Sequence, residues 1–186
     1  MSLFNDSKNA GLALVVCAIL LLLSAIVSIV DQFVGDEDTD YTVVVAAVGC
    51  IIGAFLYFGF GRSVMSGELS DKFDIVCRFV QVFGFVYIVE GIFYLWNNVG
   101  EGIVSIVIGL IALLIFKKIT DGKATTFDKL VWIILLILFI LTIIAGIALI
   151  CKLDVVDVVL GISYIFIGVF MTMSVLDNDV KAKFGM

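Results

Sequence analysis

Six apolar stretches, each close to the length needed to cross a bilayer, take up most of this chain: Ala10–Val34, Thr42–Gly61, Ile75–Trp96, Val99–Phe116, Leu130–Ile150 and Val155–Leu176. A membrane-spanning helix needs roughly 20 predominantly apolar residues at about 1.5 Å of rise each, and buried helices of soluble proteins rarely run so long without charge. The mean hydropathy of +1.26 and the 63% hydrophobic content fit no soluble class. The expectation is an all-α integral membrane protein with six transmembrane helices. With 186 residues in total, little chain is left for anything else, so residues 1–186 are read as a single membrane domain. The first stretch runs well beyond the roughly 7–15 residues of a signal-peptide core and has no small-x-small site after it. It is read as a retained helix.

The charges orient these spans. If the six alternate in direction, Lys8, Arg62, Lys72, Arg78, Lys117, Lys118, Lys123, Lys129, Lys181 and Lys183 fall on one side, and only Lys152 falls on the other. That other side carries Asp36, Glu37, Asp38, Asp40, Glu101, Asp154 and Asp157. Positive residues in short loops stay on the cytoplasmic face, which predicts a multi-pass protein of the cell membrane with both termini cytoplasmic. Anionic lipid is the natural partner of such a lysine-rich face, and nothing in the pattern suggests nucleic acid.

The spans also resemble one another. The fourth contains Gly102-Ile-Val-Ser-Ile-Val-Ile-Gly109 and the sixth Gly161-Ile-Ser-Tyr-Ile-Phe-Ile-Gly168, both of the form G-I-x-x-I-x-I-G. The second span keeps only small positions, Ala46 and Gly53, seven apart. Each of these spans is followed by a polar turn that runs into a phenylalanine: Phe73, Phe127 and Phe184. The pattern predicts three tandem helical hairpins, approximately 8–72, 73–126 and 127–186, inserted in the same direction as parallel repeats about an axis along the membrane normal. Small residues seven apart share one helix face and let backbones approach closely in lipid. Gly49, Gly53, Gly102, Gly109, Gly161 and Gly168 are therefore candidate packing positions, and spans two, four and six are expected to form the inner layer. No proline interrupts any span, which favours continuous helices.

Polar residues inside the spans are few. Glu90 lies in the outer half of the third span with Tyr87 at i−3 and Tyr94 at i+4, on one helix face. A carboxylate inside a bilayer costs on the order of 3 kcal/mol on insertion scales, so Glu90 should be protonated, paired or facing a hydrated cavity. It is a candidate proton or cation site. Arg78 and Gln81 occupy another face nearer the cytoplasm, where Arg78 is expected to snorkel to the headgroups. In the first span Ser24, Ser28 and Asp31 form a polar stripe. Its hydroxyls can bond backbone carbonyls one turn back, or the stripe can line one outward-facing vestibule with Glu90.

Other chemistry is sparse. Asp36, Asp38 and Asp40 alternate like the start of a calcium loop, but Tyr41 stands where glycine is needed and Ala47 where the bidentate glutamate would be. A solvated acidic loop is the expectation. Cys17, Cys50, Cys77 and Cys151 form no C-x-x-C pair and there is no histidine to complete a metal site. No nucleophile–base arrangement is visible, so neither catalysis nor a cofactor is expected.

Glu90-Gly-Ile-Phe93, Ala145-Gly-Ile-Ala148 and the two G-I-x-x-I-x-I-G stretches together resemble the HdeD-type small acid-resistance membrane proteins. That resemblance implies a stress-associated membrane protein without established catalysis. From the sequence, the leading expectation is a non-enzymatic protein acting by lateral association or stress protection, as a homo-oligomer or with a membrane protein partner. The alternatives are a small proton- or cation-coupled channel or transporter using Glu90, and a membrane subunit of a larger complex. A water-accessible cavity at Glu90 would favour transport, whereas a dry packed bundle would favour a structural role.

Overall fold

The computed structural model describes residues 6–34, 40–96, 98–121, 126–153 and 155–186. Asp36 to Thr39, residues 122–125 and Asp154 lie outside the described residues, and with them most of the acidic loop. The chain forms seven helices: α1 (Ser7–Val34), α2 (Tyr41–Ser66), α3 (Lys72–Tyr94), α4 (Val99–Thr120), α5 (Thr126–Ile150), α6 (Val155–Leu176) and the short α7 (Asn178–Lys183). No strand occurs among the described residues. The first six are long and apolar enough to span a membrane, as a multi-pass membrane protein of the all-α class requires. Several helices outrun the apolar stretches that mark them: α1 begins three residues before Ala10, and α4 continues past Phe116 through Lys117 and Lys118.

Local chemistry sets where the helices start and stop. Asp40, Asp71, Asn98 and Asp177 cap the N-termini of α2, α3, α4 and α7, each accepting hydrogen bonds from backbone N–H groups that the helix leaves unpaired. At the other end of α2, Gly67 adopts the left-handed conformation (φ 82°) and its N–H returns to Val64 O.

The helices alternate in direction, so one end of the bundle carries Arg62, Lys72, Lys117, Lys118, Lys129 and Lys181; we call it the basic end. Consecutive helices pair into antiparallel hairpins, α1–α2, α3–α4 and α5–α6, and these contacts are the most extensive in the molecule. The hairpins meet through α2 against α3 and α1 against α6, with α3 reaching α6 across the centre. α4 and α5 touch only lightly, tied at the basic end by Lys118 and the buried Asp128 at 3.4 Å.

The expected inner layer of spans two, four and six needs correction. Half of the apolar window of α3 and 44% of that of α6 are buried, against 17% for α4 and for α5. The centre is therefore built around α3 and α6, and α4 is an outer helix. Its glycines serve a single neighbour. A methyl group at Gly109 would sit 2.6 Å from Gly84 O, and one at Gly102 would sit 2.8 Å from Gly91 O, so the α3 and α4 backbones close on each other at both points. The α5–α6 hairpin closes in the same way at Gly146 and Gly161, and at Gly168 against Phe139 O. In the α1–α2 hairpin Gly11 faces Gly61, and the residues seven further along and seven earlier, Ala18 and Ala54, are both almost fully buried. The remaining side of α4 is apolar and open, with Leu110, Ile111 and Leu114 about half exposed or more, as a lipid-facing side requires.

Candidate functional site

Large side chains fill the bundle from the basic end up to the level of Phe139. Phe139, Phe170, Met171, Val64, Val76 and Val131 are all almost completely buried there. Phe79 is the hub of this packing: its ring lies 5.5 Å from that of Phe139 and 6.2 Å from that of Phe60, with Phe83 stacked at 6.3 Å. Above Phe79 the packing opens. A cavity of about 480 Å³ lies between the hairpins, lined by residues of α1, α2, α3, α5 and α6.

Glu90 reaches this cavity together with Tyr87, as its position on the Tyr87 face requires. Two further tyrosines join them from other helices, Tyr57 of α2 and Tyr164 of α6, with Cys17 and Thr142 adding a thiol and a hydroxyl. Three phenols from three helices thus share the cavity with one carboxylate. Among the described residues Glu90 is the only carboxylic acid on the lining, and no lysine or arginine lines it. Gly53 of α2 makes the room: a methyl group there would lie 3.1 Å from Glu90 Oε1 and 3.1 Å from Val86. Gly49, one turn away, accommodates the Phe93 ring in the same fashion. The G-x-x-x-G step of α2 therefore faces α3, and the opposite run of Ala47, Ala54 and Gly61 is buried with them.

Tyr94 shares the helix face of Glu90 but not its cavity. It is seven residues, roughly 10 Å, beyond Tyr87 along the axis. There it lines a separate pocket of about 240 Å³ with Ser24, Ser28 and Cys50. Leu21 borders both spaces. Ser24 and Ser28 therefore do not line the Glu90 cavity, and Asp31 borders neither. Ser28 donates its hydroxyl to Ser24 O at 3.0 Å, the bond one turn back that the stripe predicts. Arg78, exposed on α3, donates to the Gln81 side-chain oxygen and lies on the far side of the aromatic floor, towards the basic end.

Tyr57, Tyr164, Cys17 and Thr142 were not identifiable from sequence spacing, because each comes from a different helix. The sequence signal for Tyr164 is a phenol at mid-span, inside the sixth-span Gly161–Gly168 motif. All four cysteines are free. Among the described residues no group of three His, Cys, Asp or Glu side chains comes close enough to hold a metal ion.

At the basic end α7 forms a small clasp. Lys72 Nζ meets Asp177 Oδ2 at 2.7 Å, and Val180 and Phe184 are buried, with the Phe184 ring edge-on to Phe73 at 5.9 Å. The Lys72 ammonium, aided by the Asp179 backbone N–H, holds the Asp177 carboxyl below the usual carboxylate range. At the other end the Thr42 hydroxyl and N–H do the same for Asp40.

Comparison of the chain with protein-family models, with curated proteins and with solved structures finds no match in any of the three.

Proposed function

We propose that the protein is a small membrane carrier in which Glu90, at the head of the tyrosine-lined cavity, binds the transported cation or the coupling proton. One observation carries the reading: a lone carboxylate faces an open space of about 480 Å³ between the hairpins and not a packed interior. An ionisable group at such depth is costly and marks a pathway more often than a scaffold. The packed aromatic floor beneath the cavity favours a carrier over an open channel. The glycines that would mediate lateral association are buried within the hairpins.

On this reading the bundle sits in the cell membrane with the basic end cytoplasmic, as the positive-inside rule requires. The hairpins are parallel repeats. Support for this comes from register: Gly84 opposite Gly109 and Gly91 opposite Gly102 correspond to Phe139 opposite Gly168 and Gly146 opposite Gly161, at constant offsets in each helix. The resemblance to HdeD-type proteins would place such a carrier in stress physiology.

The test is flux in reconstituted proteoliposomes. Wild-type protein should move protons or monovalent cations, and Glu90→Gln should abolish that movement while thermal unfolding stays unchanged. Wild-type vesicles that carry nothing across a broad screen would sink the carrier reading and return the protein to a structural or stress-protective role.

A further inference from the structure

The cavity can be read further, for the class of ligand it takes. A small hard cation replaces its hydration shell with about six or more oxygens. Among the described residues this lining supplies one carboxylate, three phenols and one threonine hydroxyl, drawn from four helices, and its other side chains are carbon and one thiol. What it supplies in quantity is aromatic surface. Tyr57, Tyr87, Tyr164, Phe79 and Phe83 all line the space, and Phe83 and Tyr87 pack with ring centroids 4.3 Å apart. Aromatic faces attract cations through the ring quadrupole, and most strongly when water is excluded. The volume falls within the roughly 300–1,000 Å³ of sites that take drug-sized ligands.

We infer that the Glu90 cavity binds a bulky organic monocation, a substituted ammonium or phosphonium with apolar arms, whose charge is met by Glu90 and whose arms lie against the tyrosines and Phe83. This inference deepens the carrier reading and rests on it for the site. Such a cation sheds little hydration on entry, so it suits a lining with one charge and few polar atoms. An anion of the same shape is repelled by Glu90 and finds no basic residue on the walls. The phenol hydroxyls are secondary in this arrangement, because it is the ring faces that hold the ligand.

The experiment uses the purified full-length protein and two probes of matched shape and opposite charge, tetraphenylphosphonium and tetraphenylborate. Saturable phosphonium binding is expected, displaced by tetrapropylammonium, with no saturable borate binding. Glu90→Gln should weaken phosphonium binding at least about tenfold. Tyr87→Leu and Tyr164→Leu should each weaken it about fivefold, whereas Tyr87→Phe and Tyr164→Phe should stay within about twofold. Equal binding of the two probes, no saturable phosphonium binding, or a Glu90→Gln variant that binds like wild type would overturn the inference. The probe comparison needs no substitution, so misfolding of a leucine variant cannot obscure it. The two readings separate cleanly. A Glu90-dependent flux without phosphonium binding removes the ligand class and leaves the carrier. Glu90-dependent binding without any flux keeps the ligand class and removes transport.

Discussion

The two halves of this bundle are held together by opposite means. Towards the basic end, large side chains such as Phe139, Phe170 and Met171 interlock between hairpins and are almost wholly buried. In the other half the buried residues are nearly all small: Ala25, Ala47, Gly49, Gly53, Gly91 and Gly102. Small residues bring two backbones within contact distance, but they cannot fill the space between pairs of helices. Tight hairpins with only small residues between them therefore leave a void, and the cavity lies where the large side chains run out. In a bilayer, where apolar contact with lipid and with protein differ little, such packing detail decides which parts of a bundle are solid.

The comparison can be tested by changes of opposite sense. The largest effect is expected from truncation in the solid half: Phe139→Ala should cost about 3–5 kcal/mol in thermal or denaturant unfolding. In the other half, enlargement should do the damage. Gly161→Ala places a methyl group 2.5 Å from Gly146 O, and a loss of about 1–3 kcal/mol is expected from overpacking. If truncation and enlargement prove equally harmful in both halves, the contrast fails. The clasp at the basic end gives a smaller, pH-dependent effect. Because Asp177 has its folded-state pKa lowered, its pairing contributes stability above the ordinary aspartate value of 3.8 and loses it as pH falls through the lower folded-state value. Hydrogen exchange over Asn178–Lys183 should therefore quicken on acidification below that range, and Asp177→Asn should quicken it already at neutral pH. Least of all, Ser28→Ala should leave stability within about 0.5 kcal/mol, since its hydroxyl only adds to a carbonyl that the helix already uses. A larger loss would mean that the stripe on α1 is structural.

Much of the architecture was legible in the sequence because the bilayer imposes length. Runs such as Leu130–Ile150 have few alternatives to a spanning helix. The glycine spacing in the fourth and sixth spans also marked faces that do pack closely. Which helices are central was not legible. Isoleucine, leucine and valine on α4 serve equally well against lipid or protein, so composition cannot distinguish an outer helix from an inner one: α6 is central as the glycine pattern suggests, whereas α4 is not and α3 is. The site was half legible. Glu90 and Tyr87 stand out as polar residues one turn apart, and both line the cavity. Tyr94 shares their face and is separated from them by depth alone. Tyr57 and Tyr164 enter through the packing of α2 and α6 around α3, which no local spacing encodes.

The close glycine pairs also bear on how the chain is made. Every one of them joins helices that are neighbours in sequence: Gly11 with Gly61, Gly91 with Gly102, Gly146 with Gly161. Each hairpin's tightest interface is complete as soon as its second helix has been synthesised, so the chain can enter the bilayer two helices at a time. Trp132 ties the last unit in register by donating to Val175 O at 2.8 Å. The aromatic floor, which draws on Phe60, Phe79 and Phe139 from three different hairpins, can assemble only after the last hairpin has arrived. The contacts are thus arranged so that helix pairs can form first and close last around Phe79, and that closure is also what gives the cavity its base.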